Sequence, residues 1–246
     1  MSVNIMIFWI INRYSDLKIA LLVGVLYLIL IVGSLSLHEF GHAYIAYKNG
    51  DPTAKLNGRM TVNPMAHLDL IGMLMLVLIG FGFAKPVPVN MGNFQKRRNL
   101  FFVAVAGVSI NLILAIIFSF LCILCYRFAP PSGMSAAEIF GDVFFLGTLL
   151  NLALIVFNLL PIFPLDGFRV VESFASYRNK FVEFMRKYGT FILLGLIVWG
   201  VVIQRICEYY PSSAYILQYF DILGFVINFL ANTVAGWLFR LWGLFL

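Results

Sequence analysis

Long uninterrupted apolar runs dominate the chain and predict membrane-spanning helices. Residues 19–37 contain no charged side chain. At about 1.5 Å per residue they cover about 28 Å as a helix, close to the ~30 Å hydrocarbon core of a bilayer. Further apolar runs cover residues 100–126, 140–160, 190–206 and 215–246. The last run is long enough for one tilted helix or two half-length helices, and the sequence does not decide between them.

The segments between the first two long runs have a different character. The first helix continues to about Tyr47, where the breaker sequence Asn-Gly-Asp-Pro at 49–52 ends it. Residues 51–69 are polar and predict an extended or β-hairpin insert, which is expected to offer an edge strand to an extended ligand. Residues 70–84 are apolar but cover only about 22 Å as a helix. Whether they cross the membrane is left open.

The composition agrees with a membrane protein. Hydrophobic residues make up 62% of the chain and charged residues 11%, against about 45–50% and about 25% in soluble domains. These values exclude a disordered chain and argue against a soluble globular enzyme, because too few polar side chains exist to cover a water-facing surface. The predicted fold is an all-α polytopic membrane protein of about 5–6 transmembrane helices, with the small extended insert after the first helix.

The chain divides into three predicted parts: an N-terminal interfacial segment 1–18, a membrane-embedded core 19–178, and C-terminal membrane helices 179–246. The net charge of +6 is concentrated in loops and is attributed to membrane orientation rather than to nucleic-acid binding. Loop 85–99 carries four Lys or Arg residues and loop 167–189 carries five. The loops that alternate with them carry one or none, so the two basic loops are expected in the cytoplasm.

One short segment carries the pattern of a metal site. His38-Glu39-Phe40-Gly41-His42 is an H-E-x-x-H sequence. On a helix, positions i and i+4 share a face, so both imidazoles can point at one Zn²⁺ ion. Glu39 lies about 60° around the helix from His42, so its carboxylate can act as general base on a metal-bound water. Ionisable groups at the end of a continuous apolar helix are costly in a membrane, which favours a functional role.

A catalytic zinc usually has three protein ligands and a water, so a third ligand must come from elsewhere. Asp166 is the strongest candidate, with helix capping as its alternative role. It follows an apolar run that is broken by Pro161 and Pro164, and Gly167 permits a sharp turn beside it. Irregular backbone at membrane depth is tolerated only beside protein or a watered cavity. His67 in the polar insert is the competing, weaker third ligand.

Taken together, these motifs resemble the site-2 protease family of intramembrane zinc metalloproteases. The resemblance rests on HEFGH near the end of a membrane helix and on NLLPIFPLDG at 158–167. The resemblance covers about residues 20–170. Within the family, these residues resemble the compact branch, which lacks PDZ and CBS domains. The resemblance extends through four further motifs, at 50–59, 63–69, 82–90 and 106–111.

The resemblance implies one Zn²⁺ ion held by His38, His42 and Asp166, with Glu39 activating water. It also implies that Asn158 contacts the substrate or the oxyanion, although a helix–helix hydrogen bond explains this amide equally well. The implied activity is endoproteolysis of transmembrane protein substrates within or near the bilayer, as in regulated intramembrane proteolysis. The core defined above is then the metalloprotease core, in a bacterial-type plasma membrane. No nucleic-acid partner is expected, and the oligomeric state is left open.

Two other functions stay open at this point: a membrane zinc-binding or transport protein, and an inactive protease-like scaffold. Transport would favour carboxylates and histidines spread over facing helices, whereas this chain concentrates them in one H-E-x-x-H and one aspartate. Arg59 and Lys85, in the polar segments, are interpreted as interfacial charges. Lys85 could instead line a substrate entrance, because it precedes a proline.

Overall fold

The chain folds as a bundle of helices. The computed structural model describes residues 9–79, 82, 84–130, 135–176, 178–210 and 216–245, so the predicted segments 1–18 and 70–84 lie partly outside the described residues. In chain order the α-helices are α1 (Leu17–Lys48), α2 (Thr53–Leu56), α3 (Leu70–Ile79), α4 (Asn99–Arg127), α5 (Ala136–Asn158), α6 (Asp166–Phe174), α7 (Lys180–Tyr209) and α8 (Ile222–Gly243). A helical turn at residues 9–13 precedes α1. Short 3₁₀ turns lie at Pro64–Ala66, Met91–Asn93 and Gln218–Phe220.

Five helices in the described part of the chain are long and apolar enough to cross a membrane: α1, α4, α5, α7 and α8. The predicted all-α polytopic fold is therefore confirmed, with the lower of the two expected numbers of spans. The run at 215–246 forms one candidate span, α8, preceded by a 3₁₀ turn. Helix α6 ends at Phe174 and helix α7 begins at Lys180, so most of the predicted loop 167–189 is helical.

The predicted β-hairpin at 51–69 is wrong. This insert forms α2, a 3₁₀ turn and connecting turns, and no strand occurs among the described residues. Side chains compete with strand pairing by bonding the local backbone. The Asp51 carboxylate accepts from the Thr53 N–H at 3.1 Å, and Asn63 caps the 3₁₀ turn in the same way. The expected edge strand is therefore not available in this insert.

His67 and Lys85 lie at the same end of the bundle, at the two ends of the stretch that contains α3. The carbonyl oxygen of His67 accepts from the N–H of Lys85 at 2.8 Å, so the two ends of this stretch lie together. Helix α3 has 10 residues and is about 15 Å long, half the thickness of the hydrocarbon core. The stretch therefore does not carry the chain across the bundle. The start of α1 lies at the opposite end from loops 85–99 and 167–189.

Helix α1 ends where the breaker sequence predicts. Gly50 has φ +98°, a left-handed conformation that glycine adopts without steric cost. The Gly50 N–H donates to the Tyr47 carbonyl at 3.1 Å and the Asp51 N–H to the Ala46 carbonyl at 2.9 Å. This pair of bonds is a Schellman motif, which satisfies the last carbonyls of the helix. The H-E-x-x-H sequence thus lies in regular helix, within the last three turns of α1.

Glycines let the central helices α1, α4 and α5 approach closely. A Cβ at Gly147 would lie 2.9 Å from Leu30 Cδ1 and 3.0 Å from Phe118 Cδ2, and one at Gly41 would lie 3.0 Å from Ile110 Cγ1. Lipid is as apolar as these side chains, so helix association in a membrane depends on such close packing. Buried apolar side chains of α1 and α5 complete the contact: Val23, Tyr27, Ile31, Leu146, Leu149 and Leu150.

A buried carboxylate ties the N-terminal segment to the bundle at the end opposite the H-E-x-x-H sequence. Asp142 of α5 is 2% exposed. Its two oxygens accept hydrogen bonds from the hydroxyls of Tyr14 and Tyr126, and Arg13 Nε lies 3.3 Å away. Residues 9–14 therefore pack against the bundle, although they belong to the segment predicted to be interfacial.

We expect Asp142→Ala to lower the free energy of unfolding by about 1–3 kcal/mol, because the hydroxyl of the buried Tyr14 and that of Tyr126 lose their acceptor. The measurement is reversible unfolding in mixed micelles, followed by circular dichroism. Asp142→Asn keeps an acceptor oxygen and should lose less. Equal losses in the two variants would show that hydrogen bonding to this side chain does not matter.

Candidate metal centre

Two imidazoles and one carboxylate converge between α1, α4 and α6. His38 and His42 lie one turn apart on α1, and Asp166 is the first residue of α6; all three are at most 5% exposed. The two Nε2 atoms are 3.0 Å apart. Asp166 Oδ2 lies 3.3 Å from Nε2 of His38 and 3.1 Å from Nε2 of His42. The structure thus brings together the three residues that the sequence nominated as ligands.

These three atoms suit a zinc ion. In a tetrahedral site with bonds of about 2.0–2.1 Å, neighbouring ligand atoms lie about 3.3 Å apart, close to the separations found. Asp166 Oδ2 is buried and makes no properly oriented hydrogen bond to a described residue. Such a carboxylate oxygen is costly to bury unless a cation compensates it. In the described ranges, this is the one group of three or more His, Cys, Asp or Glu side chains with ligand atoms within 4.8 Å of one another.

Both imidazoles are held with Nε2 turned to the centre. Nδ1 of His42 lies 2.7 Å from the carbonyl oxygen of Val103, and a carbonyl only accepts, so the proton is on Nδ1. Nδ1 of His38 lies 3.2 Å from the side-chain amide of Asn111. With that amide flipped, its oxygen, which otherwise has no partner, accepts the proton of His38. Both rings then present an unprotonated Nε2, the metal-binding form.

Gly107 of α4 gives the two imidazoles their room. A Cβ at this position would lie 2.5 Å from both His38 Cε1 and His42 Nε2. Nothing in the local sequence assigned a role to Gly107 or Asn111, because their contacts reach from α4 to α1. In the sequence, both residues belong to the 106–111 motif. This motif contributed to the family resemblance but did not indicate a function for either residue.

Asp166 reaches the centre because the chain breaks between α5 and α6, as the two prolines predict. Helix α5 ends at Asn158, and α6 begins at Asp166. A Cβ at Gly167 would overlap the carbonyl of Leu159, so glycine is needed where the start of α6 packs on the end of α5. Helix capping, the alternative role, is not observed, because Leu165 is the N-cap residue of α6 and no side chain caps it. Arg169 Nη1 lies 3.9 Å from Asp166 Oδ1.

Glu39 is half-buried beside His38 on α1, and its carboxylate is held from outside the helix. The backbone N–H of Val87 donates to Glu39 Oε2 at 2.8 Å. Glu39 thus follows His38 directly in α1 and has one carboxylate oxygen fixed by a hydrogen bond, which agrees with the predicted general base. Its catalytic role is still a prediction.

The other two nominated residues are not members of the donor group. Asn158 ends α5, and its Nδ2 donates to the Leu154 carbonyl of its own helix at 3.0 Å. Its proposed contact with substrate stays a prediction. His67 is 1% exposed, and its Nε2 lies 2.8 Å from the carbonyl oxygen of Thr61. His67 is thus bonded within the insert and is not part of the donor group.

Comparison with known proteins identifies the family. The model of "Peptidase family M50" matches residues 123–198. "Putative zinc metalloprotease YwhC" of Bacillus subtilis (strain 168) is 43% identical over 173 residues, which cover 69% of this chain and 78% of that protein. The chain belongs to peptidase family M50, the site-2 protease family. "Putative zinc metalloprotease Rip2" of Mycolicibacterium smegmatis (strain ATCC 700084 / mc(2)155) is 30% identical over 214 residues, 85% of this chain and 77% of that protein. No solved structure matches the chain.

Membership of family M50 confirms the resemblance drawn from the motifs. The residues matched by the family model, 123–198, include Asn158 and Asp166 but not the H-E-x-x-H sequence at 38–42. The histidine ligands therefore rest on their motif and on the geometry of the donor group. The match also runs past residue 178, into the part predicted as separate C-terminal helices.

We expect Gly107→Ala to weaken zinc binding at least about tenfold, because the added methyl group displaces both imidazoles. Metal analysis of the purified protein, combined with competition against a chelator, measures the change. Gly24→Ala is the matched control, because a Cβ there meets nothing within 4 Å, and it should keep its zinc. Wild-type zinc affinity in Gly107→Ala would contradict this account of the packing.

Proposed function

We propose that this chain is a zinc-dependent endopeptidase that hydrolyses peptide bonds of transmembrane proteins within or near the bilayer. The observation that carries the proposal is the convergence of His38, His42 and Asp166 on one point, with Glu39 next to His38 in the same helix. Membership of a peptidase family and the names of the two relatives as zinc metalloproteases support it.

One zinc ion would be held by Nε2 of His38, Nε2 of His42 and Oδ2 of Asp166. Three protein ligands are the usual set of a catalytic site, which keeps a fourth position open. When bound, the ion supplies the Lewis acidity that peptide hydrolysis needs. The acceptors of the two Nδ1 protons keep both rings in the ligating tautomer, and Gly107 keeps the space for them.

Glu39 would take the proton of the attacking water and pass it to the leaving amine. General base catalysis of this kind contributes roughly 10²–10⁴-fold to the rate. The Val87 N–H fixes one carboxylate oxygen of Glu39 and leaves the other to reach the water. A helical substrate must unwind locally, because the carbonyls of a helix are hydrogen-bonded within it.

The position of the centre in the bundle supports a substrate within or near the membrane. Its histidines lie in the last three turns of α1, a helix that is long and apolar enough to span a bilayer. These turns are at the end of the bundle that carries the basic loops 85–99 and 167–189. Such a site is reached by membrane proteins more readily than by soluble ones, which is why we place the chain in regulated intramembrane proteolysis. The bacterial relatives support a location in a bacterial-type plasma membrane.

A zinc transporter is less well supported. Transport needs ligands spaced along a path between facing helices, whereas the described residues contain one ligand group. Asp142 lies at the opposite end of the bundle and is bonded to two tyrosines rather than facing a second donor set. An inactive scaffold would be expected to lack a ligand or the base. This chain has all three ligand residues and Glu39.

Glu39→Gln should lower cleavage at least about 10²-fold, because the base is lost, while zinc stays bound. Asp166→Ala should lose both zinc and activity. The probes are fluorescein-labelled casein in micelles and single-span reporters in proteoliposomes, with metal analysis of each preparation. Cleavage by Glu39→Gln at the wild-type rate, or full zinc occupancy in Asp166→Ala, would contradict the proposal.

We propose that the basic loops 85–99 and 167–189 face the cytoplasm, because cytoplasmic loops carry an excess of Lys and Arg; with five spans, residue 12 would then lie outside. In a background without the 3 native cysteines, a membrane-impermeant maleimide applied to intact cells should label Asn12→Cys and not Lys96→Cys. Both positions are exposed, so burial does not bias the comparison. Labelling of Lys96→Cys and not of Asn12→Cys would show that the chain has the opposite orientation in the membrane.

A further inference from the structure

The segment that bonds Glu39 has no regular secondary structure and is seated on α1. We call residues 85–90 the clamp loop. The side chain of Val87 is 4% exposed and packs with Ala43 of α1 and Ala54 of α2. Ala43 lies one turn after Glu39, and residues four apart share a helix face. The clamp loop therefore covers the face of α1 that carries the proposed base.

Arg59 holds the first part of the clamp loop. Its Nη2 donates to the Lys85 carbonyl at 2.5 Å and lies 3.4 Å from the Pro86 carbonyl oxygen. The Pro86 carbonyl belongs to the same peptide group as the Val87 N–H. One peptide group thus faces the guanidinium of Arg59 with its oxygen and the carboxylate of Glu39 with its N–H. Hydrogen bonds in such a chain polarise and strengthen one another.

Asp51 holds the last part of the clamp loop. Its side chain is fully buried, and Oδ2 accepts from the Asn90 N–H at 2.7 Å. Oδ1 accepts from Asn93 Nδ2 at 2.7 Å and from the Thr53 N–H at 3.1 Å. Burial raises the pKa of Asp51, but these hydrogen bonds outweigh it and hold the pKa below its ordinary value. The carboxylate therefore stays an acceptor at neutral pH.

We propose that Arg59 is a positioning residue for Glu39, acting through the Pro86–Val87 peptide group. The proposal rests on the endopeptidase function proposed above. Arg59 and Asp51 fix the clamp loop on both sides of Val87, and prolines on either side of that residue restrict the backbone. Without Arg59 the carboxylate spends less time at the distance and angle that proton transfer needs, so turnover falls while substrate affinity is kept.

Hydrogen exchange measures how often the backbone hydrogen bonds of the clamp loop open, and it does not depend on activity. The loop has four backbone N–H groups, since its two prolines have none, and those of Lys85, Val87 and Asn90 donate to described acceptors. In the zinc-loaded full chain in micelles, Arg59→Ala should speed exchange in a peptide covering the loop at least about tenfold. Peptides from α1 should exchange as in the wild type.

Lys55→Ala is the matched control. It removes a second cation of the same insert, one that bonds the Tyr47 hydroxyl at 3.0 Å rather than the clamp loop. In the same preparations, Arg59→Ala should lower kcat on labelled casein about tenfold or more, with KM within about twofold and zinc content as in the wild type. Lys55→Ala should match the wild type in exchange, kcat and zinc content.

Arg59→Lys keeps a cation that can reach one carbonyl, so its kcat and exchange should lie between those of Arg59→Ala and the wild type. Wild-type kcat and exchange in Arg59→Ala would overturn the proposal, as would a rise in KM alone or an equal loss in Lys55→Ala. Should Arg59→Ala not fold, Arg59→Lys decides the question, since wild-type values in both measurements would overturn the positioning role.

The two proposals fail in different ways. Wild-type cleavage by Glu39→Gln removes the proposed function, whatever Arg59 does. An inactive Glu39→Gln together with wild-type kcat and exchange in Arg59→Ala removes the positioning role alone.

Discussion

The structure depends on holding three electron-pair donors 3.0–3.3 Å apart in a buried space. Two unprotonated imidazole nitrogens and a carboxylate oxygen repel one another there unless a cation lies between them. The surroundings oppose the ways in which the donors could separate. The α1 helix fixes the spacing of the rings, their Nδ1 atoms are tied to α4, and α6 starts at Asp166. Gly107 and Gly167 provide space that no other residue would leave.

The sequence predicted the parts of this centre that a single segment determines. The spacing of His38 and His42 follows from the geometry of one helix, and the prolines before Asp166 marked the break from which it reaches the centre. The contacts of Gly107 and Asn111 could not be derived in this way, because they depend on how α4 packs against α1. The hairpin at 51–69 was predicted from polarity alone, and local caps by side chains such as Asp51 determined its structure instead.

The two ends of the bundle have separate tasks. At one end, Asp142 joins the N-terminal segment to α4 and α5 through tyrosine hydroxyls. At the other end lie the donor group and the insert, and there the Lys85 N–H donates to the His67 carbonyl. The short α3 therefore matters for the count of spans, because it places both basic loops on the side of the donor group. A hydropathy profile alone does not distinguish this arrangement from a sixth crossing.

The link from Arg59 to Glu39 through a peptide group has a chemical reason. A general base must be held in place and still accept a proton. A cation in direct contact with a carboxylate stabilises its charged form and weakens it as a base. The Val87 N–H carries only a partial charge and fixes one oxygen of Glu39. The Arg59 guanidinium lies on the carbonyl side of the same peptide group, so it polarises that N–H without contacting the carboxylate. This arrangement gives Glu39 a fixed position without a cation in direct contact with its carboxylate.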